Sequence, residues 1–448
     1  MNAFKAYDIR GIYTKDFNKE DVYRIGFYLP VLMKTDKILV GRDIRHSSPE
    51  IFRALAKGIN DQGCDVYDAG ITTTPMIYFL TANDQFDASV MITASHNDKE
   101  YNGFKISGPK ASPIGYDNGL ADLEQMIAQV PQKVKNPGKT IDYNRKDIYL
   151  HFLEQYKKDY SDLNLAVDCS NGVAGLFAEL IFGQEIHYLN HEMNGDFPGH
   201  PPNPLVEKNV ESLKHIVKEK NLDLGVIFDG DADRVMFVDE KGQFIRPDLI
   251  IALMGDYFLK DKSNEKVLFD LRSSRVVKEH LEKLGAETYM WRVGRAYAAR
   301  KLKDINGLFG GELAGHYYFR DFFYSDSGML SAMIVLNMIL ELKQQGMTIS
   351  EYFSKINNLY NSGEINFKIT RKKEAMEALK DYFASRETPE ATYDFDGYRL
   401  EFKNWWFNVR PSNTEPYLRF IAEADTNEKL KQIINETQDI INQTSNKS

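Results

Sequence analysis

Three aspartates at alternate positions, Asp229, Asp231 and Asp233, follow one apolar run and are followed by Arg234 and a second apolar run over 235–238. Carboxylates this close repel one another unless a cation holds them. Calcium is the first competitor, because an EF-hand loop also opens Asp-x-Asp-x-Asp and Glu240 falls at its twelfth position. Arg234, however, stands where that loop needs glycine, and 235–238 reads as a strand. Magnesium suits the pattern better, as a hard cation held by carboxylates and completed by a phosphate oxygen. An acidic hairpin turn is the plain alternative.

A second chemical stretch is Thr-Ala-Ser-His-Asn over 93–97, where a short β-branched run ends in a small serine, Ser95. In open α/β sheets the carboxyl edge is where ligands bind. Asn102–Gly103 reads as a tight turn that returns Lys105 toward the serine, although a simple polar turn would also account for the composition. A third stretch, Arg-Pro-Ser-Asn-Thr over 410–414 with Arg419 nearby, groups the donors that a phosphate monoester requires, although a solvated loop explains all but the paired arginines. In a fourth, Gly-Gly-Glu-Leu-Ala-Gly-His over 310–316, Glu312 can accept from vicinal sugar hydroxyls, while His316 alone reads most simply as a structural histidine. No Lys-Ser/Thr ending makes this loop a nucleotide-binding one.

The elements that must position these loops repeat. Strands are expected over 37–40, 63–69 and 89–93, with helices over 48–59 and 75–81 between them. The same βαβαβ order recurs with strands over 165–168, 185–189 and 224–228 around helices over 172–181 and 210–220. It recurs again with strands over 266–270, 287–291 and 307–309 around helices over 276–284 and 295–302. Right-handed crossovers place all three polar loops at carboxyl edges. Residues 4–13 look too polar for a plain strand, with Arg10–Gly11 as an exposed turn. Polar linkers are expected over 130–140 and 242–247, and a long helix over 329–344 closes the third unit. Beyond about 363 the chain reads as alternating strands with a hairpin at 394–397, then a helix over 430–441 with Asp425 and Glu428 as a capping box.

Composition bounds the rest. The 448 residues, 43% hydrophobic, suffice for three or four domains. A net charge of −9 argues against a general nucleic-acid surface, so an anionic ligand needs a local basic pocket. Only Cys64 and Cys169 are present, which suggests neither disulfides nor zinc and suits a reducing cytoplasm. With no leader-like start and no apolar run near the roughly 18 residues a span needs, the chain is expected to be soluble and cytoplasmic, without membrane partners.

The motifs at 5–11, 93–97 with 101–105, 229–234, 310–316 and 410–416 together resemble the α-D-phosphohexomutase superfamily, over essentially the whole chain. The resemblance implies an α/β protein of three related domains, 1–140, 141–242 and 243–360, and a smaller α+β domain, 361–448. It implies a phosphorylated Ser95, one Mg²⁺ held by that phosphate with Asp229, Asp231 and Asp233, and a hexose 1,6-bisphosphate intermediate and activator. Arg10, His96, Lys105 and Arg234 are expected to assist at Ser95, while Glu312, His316, Arg272, Arg295, Arg410, Ser412, Asn413, Thr414 and Arg419 bind the phosphosugar. The stretch after the sugar loop looks most like the phosphomannomutase branch, and the chain as a whole most resembles the phosphomannomutase/phosphoglucomutase enzymes, as a monomer or homodimer. This sequence departs from the commoner pattern at Asp98 and Lys99 (two prolines), Ala314 (serine), Arg272 (lysine) and Arg295 (histidine). Phosphoglucosamine mutase is the alternative within the class; a metal-dependent sugar phosphatase and a non-catalytic sugar-phosphate binder are the alternatives outside it.

Overall fold

A computed structural model describes residues 2–412 and 417–445, which form four sheets in chain order. The first holds β1 (Ile9–Ile12), β2 (Lys37–Arg42), β3 (Asp65–Ile71), β4 (Ser89–Ile92), β5 (Tyr101–Ser107) and β6 (Thr140–Asp142), in the order β1-β5-β4-β2-β3-β6. The second holds β7 (Leu165–Asp168), β8 (His187–Leu189), β9 (Leu224–Phe228), β10 (Val235–Asp239) and β11 (Phe244–Ile245), in the order β11-β10-β9-β7-β8. The third holds β12 (Lys266–Asp270), β13 (Glu287–Trp291), β14 (Phe309–Gly311), β15 (Tyr317–Phe319) and β16 (Ser325–Asp326), in the order β13-β12-β14-β15-β16.

One path therefore recurs three times. The first strand of each βαβαβ unit, β2, β7 or β12, lies between its two parallel successors, and the next strand, β5, β10 or β15, returns antiparallel to the third. The loops after β4, β9 and β14 consequently leave at the carboxyl edge of each parallel trio, where such sheets bind ligands. The turns after the three central strands repeat as well. Asp43, Asp168 and Asp270 each accept from the backbone N–H two residues on, at 3.1, 2.8 and 2.7 Å.

The fourth sheet is antiparallel. It comprises β17 (Tyr360–Asn361), β18 (Ile365–Lys368), β19 (Ala391–Tyr393), β20 (Tyr398–Glu401), β21 (Trp405–Pro411) and β22 (Tyr417–Ala424), with the helices Lys372–Arg386 and Asn427–Ser445 packed against it. At the divisions expected at 140, 242 and 360, β6 pairs with β3, β11 with β10 and β17 with β22; β6 begins at the end of one expected linker and β11 lies within the other.

One apolar core runs through the first three units, joining Leu39, Met76 and Met91 to Val167, Phe228, Val267 and Phe269 around the helix Gly328–Gln344. That helix is apolar nearly all round and buried accordingly. Its Ser327 cap accepts from Leu330 N–H, and Gly328 N–H donates to Ala232 O at 3.2 Å. The positive, buried end of this helix thus abuts the aspartate loop. Among the described residues, no helix is long and apolar enough to cross a membrane.

Several expectations change. Ile9–Ile12 is an edge strand of the first sheet, not a turn; only Ile9 and Gly11 face inward, which is why its middle reads as polar. Asn102 and Gly103 lie within β5, not in a tight turn, and Lys105 is carried by the antiparallel pairing of β5 with β4. Residues 172–181 form a 3-10 turn, Val173–Leu176, and a short helix, Ala178–Phe182, divided at Phe177. The last helix is capped by Thr426, which accepts from Lys429 N–H, and not by Asp425. The helix Lys372–Arg386 is not evident in the sequence because it buries only Ala375, Leu379 and Phe383 amid charged residues.

At Gly103 the β5 backbone lies tight against β1: a Cβ there would lie 1.9 Å from Ile9 O. We therefore expect Gly103→Ala to lower stability by about 1–3 kcal/mol, as overpacking does, measurable as a fall in the urea midpoint.

Candidate active site

The loop after β4 turns Ser95 into the left-handed region at φ 53°, an uncommon conformation for a residue with a Cβ. The surrounding groups determine it. Ser95 N–H donates to Thr93 Oγ1 at 2.9 Å. Arg45, wholly buried, donates to Ser95 O at 3.0 Å, to Asn97 O and Asp98 O at 2.6 Å each, and to Tyr101 O at 3.1 Å, while Asp43 holds its Nε at 3.1 Å. Gly230 completes the fit, because a Cβ there would stand 2.6 Å from Ser95 O.

This loop faces the turn after β9. Ser95 Oγ donates to Asp229 Oδ2 at 2.7 Å. Asp229, Asp231 and Asp233 are fully buried, with a carboxylate oxygen of each within 4.8 Å of the others. Lys105 Nζ donates to Asp231 Oδ2 at 2.6 Å and also to Asp233, and Thr74 Oγ1 donates to Asp231. Asp231 Oδ1 and Asp233 Oδ1 remain buried without a hydrogen-bond partner among the described residues. Orphaned acceptors of this kind cost about 1–3 kcal/mol each, more when charged, and a divalent cation is a group that would satisfy both. Burial, then Asp231 and Asp233, push the Asp229 carboxyl well above the usual carboxylate range. Burial opposes the charge of Asp233 too, but the positive groups around it, Lys105 foremost, together outweigh burial and bring that carboxyl down.

Arg234 lies between two imidazoles, donating through Nη2 to His96 Nδ1 at 2.8 Å and through Nε to His316 Nε2 at 3.1 Å. A guanidinium only donates, so both nitrogens accept. His316 must then donate through Nδ1 to Asp326 Oδ2, 2.6 Å away. Burial, reinforced by Arg234, Arg10 and Lys105, holds the His96 pKa well below the histidine range, which keeps that ring neutral. Arg295 donates to Asp326 Oδ1 at 2.9 Å and stacks 3.8 Å from the Tyr78 ring centre. Burial opposes charge on Asp326, yet Arg295 and His316 keep its carboxyl well below the usual range.

Glu312 is buried on the loop after β14, where its carboxylate accepts from Gly294 N–H at 2.7 Å and from Tyr318 Oη. Farther along the same edge, Arg272 donates to Asp270 at 2.6 Å and faces Glu364 at 3.6 Å. Arg410 and Arg419 reach the same Glu364 at 3.4 and 3.1 Å. Lys372 Nζ donates to Ser412 O at 3.0 Å.

With this geometry in view, the chain matches four successive patterns of one family. These are phosphoglucomutase/phosphomannomutase alpha/beta/alpha domain I over residues 1–133, domain II over 147–242, domain III over 246–360 and the C-terminal domain over 364–440. The chain belongs to this family. It is a phosphohexomutase, 35% identical over 451 residues to the phosphomannomutase of Methanocaldococcus jannaschii, covering 98% of each chain. It is 34% identical to a phosphomannomutase of Escherichia coli, covering 95% of each. A phosphoglucomutase/phosphomannomutase family protein from Burkholderia thailandensis has the same fold, with a TM-score of 0.87 at 26% identity, covering 100% of this chain and 98% of that one.

The phosphohexomutase structure gathers Ser95, His96, Lys105, Arg234, His316 and the three aspartates at one point, and Arg272 with Arg410 and Arg419 at another. Arg10 is not an exposed turn residue: it donates to Asn97 Oδ1 at 2.7 Å and pairs with Asp8. Arg295 donates to Asp326 through Nε, and its Nη2 is buried without a hydrogen-bond partner among the described residues. Asn413 and Thr414 lie outside the described residues. Arg45, Thr74, Asp326 and Glu364 were not singled out from sequence. Only Arg45 left a signal, because Asp43-Ile44-Arg45 echoes Asp270-Leu271-Arg272 at the end of the central strand.

Arg45→Lys keeps the charge but not the fork that clamps four carbonyls. It should lower kcat by about 100-fold with KM little changed, since ångström-scale misplacement of a reacting group costs that much; steady-state kinetics checks the split.

Proposed function

We propose that this phosphohexomutase interconverts hexose 1-phosphates and hexose 6-phosphates, accepting both mannose and glucose phosphates, through a phosphoserine at Ser95 and a hexose 1,6-bisphosphate. The observation that carries this reading is the Ser95 hydroxyl donating into the buried aspartate triplet at 2.7 Å, with Lys105 and Arg234 beside it. In the first half of the cycle the Ser95 Oγ–P bond breaks as a bond forms between phosphorus and a free sugar hydroxyl. The hydroxyl proton ends on Ser95 Oγ, which then donates to Asp229 as the structure has it. After the bisphosphate turns over, its other phosphoryl group returns to Ser95 and the proton to the sugar. Lys105, Arg234 and Arg10 bring positive charge toward the transferring oxygens.

Asp229, Asp231, Asp233 and a phosphoryl oxygen on Ser95 suit one Mg²⁺, which when bound supplies neutralisation of the phosphoryl oxygens. Neutral His96 and the His316–Asp326 pair keep Arg234 in place from either side. Arg272, Arg410 and Arg419, with Ser412, Asn413 and Thr414, hold whichever phosphate is not reacting, and Glu312 accepts from ring hydroxyls. By the resemblance, Glu312 reads hydroxyls away from C2, where mannose and glucose differ, so the two sugars are poorly separated. The phosphomannomutase relatives weigh against glucosamine phosphate as the main substrate.

Mannose, glucose and glucosamine 1-phosphates supplied separately with Mg²⁺ test this. We expect 6-phosphates from the first two, with kcat/KM within about 100-fold of each other, and weaker turnover of the third. Release of inorganic phosphate would indicate a phosphatase, binding without conversion a non-catalytic protein, and preference for the amino sugar the phosphoglucosamine branch.

A further inference from the structure

Glu364 has no place in the reaction described so far, yet three arginines converge on it. Arg272 comes from the turn after β12 in the third sheet, while Arg410 and Arg419 are direct partners across β21 and β22 in the fourth. Like charges placed directly opposite on a sheet destabilise it unless an anion lies between them. Glu364 is the anion that does so here. Burial works against its charge, but Arg272, Arg410 and Arg419 bring its carboxyl below the ordinary glutamate value, so it is ionised at neutral pH.

The fit is nevertheless loose. Its oxygens stand 3.6, 3.4 and 3.1 Å from Arg272, Arg410 and Arg419, longer than the 2.7–2.9 Å of a settled guanidinium–carboxylate bond. Arg410 is only 6% exposed, and its Nε is buried without a partner among the described residues. Glu364 therefore leaves Arg410 Nε unengaged, a donor that an anion with more oxygens would use. Glu364 is tethered between β17 and β18, next to Gly363 at φ 66°, and its side chain keeps 23% of its surface in solvent. It has a way out of the cluster.

We propose that Glu364 is an internal counter-anion that competes with the non-reacting phosphate of the substrate for Arg272, Arg410 and Arg419. This rests on the reading of those arginines as the phosphate grip. With the site empty, Glu364 keeps the arginines from repelling one another; with phosphate present it is displaced or shares them, which weakens the grip. A bisphosphate that must let go and turn within each cycle needs such weakening, because two buried arginines and the half-buried Arg419 alone would hold it too long.

Glu364→Gln removes the charge and keeps the shape. Calorimetric titration with inorganic phosphate should give a Kd about tenfold lower than for the parent enzyme. Glucose 1-phosphate turnover should show KM and kcat falling together. Glu364→Asp, which keeps the charge, should stay close to the parent in phosphate Kd and serves if the glutamine variant folds poorly. Unchanged or weaker phosphate binding in Glu364→Gln, or a higher KM with a lower melting temperature, would make Glu364 a strut between the third and fourth sheets and overturn the proposal. If Arg410→Ala left phosphate Kd and KM as they are in the parent, the phosphate-grip reading itself would fail, a result distinguishable from failure of the Glu364 role alone.

Discussion

Three buried carboxylates at one point are the constraint that the rest of this structure answers. Taking even one carboxylate out of water is costly unless charge and hydrogen bonds replace the solvent. Here the replacement comes from separate parts of the chain: Lys105 and Thr74 from the first unit, the N-terminal end of the helix Gly328–Gln344 from the third. Two acceptor oxygens remain unsatisfied even so. The site is thus both a place where the units meet and one where the fold leaves buried carboxylate oxygens that a cation would satisfy. Ser95, forced into a left-handed turn and pointed at Asp229, stands where the two would meet.

A single strand order used three times makes this convergence possible. Each unit sends one polar loop off the carboxyl edge after its third strand: the first brings a hydroxyl, the second carboxylates, the third a carboxylate and an imidazole. The turns after the central strands have diverged in parallel. Arg45 and Arg272 both pair back to an aspartate two residues earlier, but Arg45 spends its remaining donors on the serine loop and Arg272 faces the arginine pair of the fourth sheet. The same local device positions a serine hydroxyl in one unit and brings a guanidinium to an arginine cluster in another.

What could be read from sequence follows from burial. The strands over 165–168, 224–228, 266–270 and 287–291 have the bounds expected of them because they are compact β-rich runs, and the first two are buried on both faces. The edge strand Ile9–Ile12 and the charged helix Lys372–Arg386 show too little apolar surface to stand out. In the site, Ser95 and the aspartates carried their chemistry in local spacing. Arg45 left only the echo of Asp43–Arg45 in Asp270–Arg272, and Thr74, Asp326 and Glu364 left nothing, since each acts on a carbonyl or charge that only tertiary structure brings to it. Arg295 was legible by its position, but its partner Asp326, 31 residues away, is brought to it only by the fold.

The central claim, that Ser95 carries the phosphoryl group, is tested most directly by peptide mass mapping after incubation with Mg²⁺ and glucose 1,6-bisphosphate. The account expects one added phosphoryl group, confined to the peptide containing Ser95, and neither that mass nor turnover in Ser95→Ala. A phosphoryl group on another peptide, or parental turnover in the alanine variant, would contradict it.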